Sequence, residues 1–155
     1  MKQIIQIYLE HTTDVIREIE ISSNNSLKDL HNIINKTLKL ESNQMASFYK
    51  TNEEFEILQE IPLFKIDEKD TPMPDMSEIT ISSAFPKVNS KLIYIYDFLK
   101  MWRFLATYLG DSTSKSTKNR IIKNIGDMPM DAPEVIFEAD SDFEKESDIY
   151  NESEY

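Results

Sequence analysis

The chain has 155 residues, and its 28 acidic and 17 basic side chains give a formal net charge of -11. It contains no cysteine, two histidines and two glycines, which excludes disulfides, zinc knuckles, iron–sulfur clusters, thiol nucleophiles, histidine-rich metal sites and glycine-rich phosphate loops. The acidic balance repels nucleic-acid backbones and anionic membranes, no apolar run approaches a membrane span, and the broken apolar pattern at the start is not a signal-peptide core, so a soluble cytoplasmic protein is expected.

In chain order, Gln3 to Leu9 alternates, with Ile5, Ile7 and Leu9 on one face, and predicts a strand. A polar turn from Glu10 to Asp14 leads to a return strand from Val15 to Ile21, in which Arg17 shares the inward parity of Val15, Ile19 and Ile21. Ser26 and Asp29 read as a helix cap, and Leu27, Leu30, Ile34 and Leu38 fall at helical spacing, predicting a helix from Leu27 to Lys39. The chain thus opens strand, strand, helix, in the manner of a ubiquitin-like half-domain. Met45 to Tyr49 and Phe55 to Ile61 predict two short strands, 62–75 an exposed loop, and Ser77 to Phe85 a short helix. Lys91 to Asp97 and Met101 to Leu109 form the most apolar hairpin, with large residues on both faces, expected at the middle of a mixed or antiparallel sheet. Residues 110–119 read as a linker-like loop and Arg120 to Ile125 as an edge strand. The expected fold is therefore α+β, one domain over residues 1–137. Residues 138–155 hold eight acids and one lysine, about -7 of the net charge, and are expected to be a disordered acidic tail.

Four segments together resemble the plasmid ORF-3-like family, first named from an Ri plasmid and also found as a passenger of insertion elements. Val15-Ile16-Arg17-Glu18-Ile19 is loosely similar to its Ile-Trp-Arg-Arg-Ile strand, and Leu27-Lys28-Asp29-Leu30-His31 closely matches its Leu-x-Asp-Leu-His helix start. Tyr94-Ile95-Tyr96-Asp97-Phe98-Leu99-Lys100-Met101-Trp102 resembles the pattern Tyr-x-Tyr-Asp-Phe-Gly-Asp-x-Trp, and the segment Gly126 to Pro133 echoes Gly-x-x-x-Pro-Pro-Glu-Asp. The resemblance implies an α+β fold and little chemistry. Leu99 and Lys100 stand where the family has Gly-Asp, and Gln44 and Ala46 where many members have His-x-His; a polar cluster built on those positions is largely lost here.

Three residues are candidates for binding. His31 lies at the edge of the helix's apolar face, where a packed structural imidazole is the usual outcome. Asp97 ends an apolar strand, where an aspartate ordinarily accepts turn N–H groups. Arg17, facing inward, needs compensation, and Asp97 is the attractive partner. No catalytic residue and no metal ligands are assigned. The aromatic set around Tyr94 and Trp102 reads as core rather than a base-stacking platform, since basic neighbours are sparse. Lys115, Lys118, Arg120 and Lys123 form the basic cluster, a solvated loop or a contact for nucleic acid or for the chain's own acidic tail. Asp140, Asp142, Glu144 and Glu146 are spaced loosely like a calcium loop but lack its glycine. The expected function is a non-enzymatic, cytoplasmic protein-interaction module with another protein as partner and no cofactor. The alternatives are an accessory factor of a mobile element, enzymatic or nucleic-acid-associated, and an acidic mimic of DNA.

Overall fold

The computed structural model describes residues 1–41, 43–54, 56–64 and 74–130. Among the described residues the strands are β1 (Lys2–Leu9), β2 (Ile16–Ser22), β3 (Ala46–Thr51), β4 (Ile57–Pro62), β5 (Lys91–Tyr96), β6 (Trp102–Asp111) and β7 (Arg120–Ile125). They form one sheet in the order β4-β3-β5-β6-β1-β2-β7. Every pairing in it is antiparallel. The helix α1 (Leu27–Thr37) is joined by a 3₁₀ turn at Met76–Glu78 and the four-residue helix α2 (Ile81–Ala84). The anticipated tail at 138–155, most of the 62–75 loop, and Phe55 and Pro133 lie outside the described residues.

The expected α+β class with a ubiquitin-like opening is overturned. The molecule is mostly an antiparallel sheet with one substantial helix. The order strand, strand, helix is present, but β1 has antiparallel neighbours on both sides, β2 and β6. The reason lies in matched apolar rows: Ile5, Ile7 and Leu9 face Tyr108, Ala106 and Phe104 across the β1–β6 pair. The same β1 row meets Ile19 and Arg17 of β2.

Those rows make the core face. Ile5, Ile19, Ile21, Phe48, Tyr94 and Phe104 are fully buried there under Leu27, Leu30 and Ile34 of α1, with Met76, Ile81 and Phe85 closing one side. The helix forms where expected because Ser26 and Asp29 make a capping box, each satisfying a backbone N–H of the other. It stops two residues earlier than predicted, at Thr37. Lys39 adopts φ 58, and its N–H and that of Leu40 return to the carbonyls of Lys36 and Asn35, a Schellman ending without glycine. Gly126 follows β7 at φ 76, and a Cβ there would lie 2.1 Å from the Asp14 carbonyl oxygen, so only glycine lets the chain pass this point.

The opposite face holds ion pairs between neighbouring segments: Arg120 with Glu20 at 2.7 Å, Lys123 with Glu18 at 3.5 Å, and Arg103 with Glu10, just past β1, at 2.8 Å. Glu60 accepts hydrogen bonds from Ser47 at 2.7 Å and Tyr49 at 3.4 Å.

Trp102 is 6% exposed and belongs to the core. Trp102→Ala is expected to cost about 3–5 kcal/mol and to leave the chain molten or insoluble. The emission of this single tryptophan should be blue-shifted and poorly quenched by iodide. A red-shifted, readily quenched emission would contradict the packing described.

Candidate functional site

The three candidate residues do not converge. His31 projects from α1 into the core at 2% exposure. Its Nδ1 lies 2.7 Å from the Tyr94 hydroxyl on β5, and its Nε2 lies 3.0 Å from the Asn35 side-chain amide one helical turn on. Burial, with a smaller contribution from Lys28, lowers the imidazole from 6.5 to about 4. Burial also pushes the Tyr94 phenol well above its ordinary range. A neutral, enclosed imidazole locked between a phenol and an amide ties α1 to β5. Asn35 was the residue missed, and its i, i+4 spacing from His31 is the signal that points to it.

Arg17 is 2% exposed, on the core face of β2. The anticipated pairing with Asp97 is absent. Its guanidinium donates to the Thr37 hydroxyl at 3.2 Å and to the carbonyls of Ile16 and Ile125 at 3.0 and 2.9 Å. Burial lowers its pKa and the nearby Asp127 partly opposes this. The arginine sits at the C-terminal end of α1, where the helix dipole favours a cation. It thereby fastens β2, β7 and α1 together.

Asp97 spends its carboxylate on its own turn. Its Oδ1 accepts from the N–H groups of Leu99 and Lys100 at 3.1 and 3.3 Å, and its carbonyl accepts from Met101 N–H at 2.6 Å. Its φ is 64, a left-handed conformation that aspartate tolerates through such local bonding.

The positions that depart from the family pattern do come together. The Asp97 N–H donates to the Met45 carbonyl at 2.8 Å, which sets Gln44 and Ala46 at the start of β3 beside the 97–101 turn. What they present is mixed: the Gln44 side chain donates to the Glu41 carboxylate at 3.2 Å and Lys100 is exposed. Ala46 is fully buried, whereas Leu99 is 94%, Met45 46% and Phe98 40% exposed. Among the described residues no group of three or more His, Asp or Glu side chains is placed to hold a metal ion. No described helix is long and apolar enough to cross a membrane.

The His31 geometry carries a pH dependence. In the unfolded chain this imidazole takes up its proton below about 6.5, in the folded chain only below about 4. The unfolded state therefore binds more protons between those values, and stability falls as the pH drops through that window. By pH 4.5 the native chain should have lost about 2–3 kcal/mol more than a His31→Gln variant, relative to neutral pH. Urea titrations of both at the two pH values measure this, and parallel losses would refute it.

Comparison with known proteins agrees with this arrangement. A family model for plasmid pRiA4b ORF-3-like proteins matches residues 3–134. The crystal structure of MM3350, a protein of unknown function from Methanosarcina mazei Go1, is similar with a TM-score of 0.62 at 18% identity, over 79% of this chain and 68% of that one. No curated protein matches the chain. The family match takes in both hairpins, α1 and the corner where Met45 meets Asp97, and on that extent the chain belongs to the plasmid pRiA4b ORF-3-like family.

Proposed function

We propose that the chain is a non-enzymatic, cytoplasmic protein-interaction module that engages its partner with the apolar tip of the β5–β6 hairpin. The observation that carries this reading is the exposure of Leu99, Phe98 and Met45 at one corner of the sheet. Solvent-exposed clusters of large apolar side chains on a rigid turn are what recognition surfaces use as anchors. The turn is already ordered by the Asp97 carboxylate and by two left-handed residues, Asp97 and Met101. Little conformational entropy remains to be lost when a partner closes over it.

The charges of the sheet support a protein partner over nucleic acid. Arg103, Arg120 and Lys123 are each matched to a glutamate of a neighbouring segment. That leaves the open face without the uncompensated positive field a phosphate backbone requires. At the corner itself, Gln44, Ala46 and Leu99 supply neither a nucleophile nor a general base, and Lys100 is exposed on the turn.

The test is a double substitution, Phe98→Asp with Leu99→Asp. Exposed side chains contribute little to stability, so its melting temperature should stay within a few degrees of the native chain. A protein captured by the native chain should bind the variant at least about tenfold more weakly, the loss of one anchor contact. Equal capture by the variant would defeat the proposal.

A further inference from the structure

Past the C-terminal end of α1 lies a cavity of about 280 Å³, lined by Arg17, Thr37, Leu38, Lys39, Asp127 and Met128. Arg17 reaches it from β2, Thr37 to Lys39 form the closing turn of the helix, and Asp127 and Met128 follow the turn at Gly126. A guanidinium carries five N–H donors in one plane. The Nε hydrogen of Arg17 goes to the Thr37 hydroxyl, and those on Nη1 go to the carbonyls of Ile16 and Ile125. The two on Nη2 meet no acceptor among the described residues, yet Nη2 is not sealed off from solvent. An arginine only 2% exposed thus keeps a pair of donors for whatever enters the cavity it lines.

The charges around the cavity are of both signs. Lys39 is exposed at φ 58, and no carboxylate among the described residues pairs with it. Asp127 is exposed too and acts on Arg17 through space, without a hydrogen bond or ion pair between them. A bare anion in the cavity would face the repulsion of Asp127, and a bare cation that of Arg17 and Lys39. A molecule carrying both charges escapes both. Leu38 and Met128 add an apolar wall. The volume lies at the lower edge of small-molecule sites, which run from roughly 300 to 1,000 Å³, so the occupant is small.

We infer that this cavity binds a free α-amino acid with an apolar side chain. Its carboxylate accepts from Arg17 Nη2 and from Lys39, its ammonium donates to Asp127, and its side chain lies against Leu38 and Met128. Hydrogen bonds between charged groups are the strong ones, and a guanidinium offers a carboxylate a matching planar edge. The Thr37 hydroxyl and the two carbonyls already hold the Arg17 plane in place, so little side-chain freedom is lost on binding. This site is separate from the hairpin tip and does not depend on its role.

The probe is L-leucine, titrated into the isotope-enriched full-length chain while backbone amide signals are followed. Alongside it run 4-methylpentanoate, which lacks the ammonium, 3-methylbutylamine, which lacks the carboxylate, and inorganic phosphate as a bare anion. Leucine should give saturable shifts concentrated at residues 17, 37–39 and 126–128, and each of the other probes should bind at least about tenfold more weakly. Asp127→Asn should weaken leucine by a similar factor and leave 4-methylpentanoate no weaker than before. Lys39→Asn, a residue that tolerates the left-handed turn, should weaken both. The two positions are exposed, so the melting temperature of each variant should stay within a few degrees of the native chain. The inference is overturned by the absence of saturable shifts with leucine, by shifts centred away from the cavity, or by 4-methylpentanoate or phosphate binding as tightly as leucine.

Discussion

The contact between β1 and β6 is the join on which the molecule is built. Each hairpin it unites, β1–β2 and β5–β6, is on its own a two-stranded ribbon, a structure only marginally stable in water. Setting Ile5, Ile7 and Leu9 against Tyr108, Ala106 and Phe104 makes one continuous surface wide enough to bury α1. The positions of His31 on Tyr94 and of Arg17 on Thr37 follow from that surface, because each couples the helix to a different hairpin. The outer strands are then additions at the flanks, β3–β4 beside β5 and β7 beside β2.

Much of the local structure was legible because it is written at short range. Alternation marks β1 and β2, the Ser26 and Asp29 pair marks the start of α1, and Asp97 at the end of an apolar strand marks a turn. The ubiquitin-like reading failed for a reason of range. Strand, strand, helix is a local order compatible with several sheets, and which strand lies on the free side of β1 is decided about a hundred residues later, by the apolar row of β6. Residue parity tells which face a side chain occupies, not which strand lies alongside or in which direction it runs.

The same division governs the site residues. Parity placed Arg17 on the inner face correctly, but its partners are a helix-terminal hydroxyl and two carbonyls, which no charge pattern announces. Asp97 was expected to be either a turn former or the partner of Arg17, and the N–H groups of Leu99 and Lys100 occupy it. Asn35 is one helical turn from His31 and could be read from spacing, whereas Tyr94 lies 63 residues away and could not.

The left-behind side of β1 has a meaning for the order in which the chain is made. Leu9 pairs with Phe104, and Gln3 with Asp111. Synthesis at about 5–20 residues per second leaves an interval of roughly 5–20 s between completion of the first strand and arrival of its second neighbour. Throughout that time Ile5, Ile7 and Leu9 have only β2 beside them, and a bare apolar ribbon edge is the kind of surface on which nascent chains stick to one another. That exposure belongs to the order in which the chain is made and is invisible in the finished sheet.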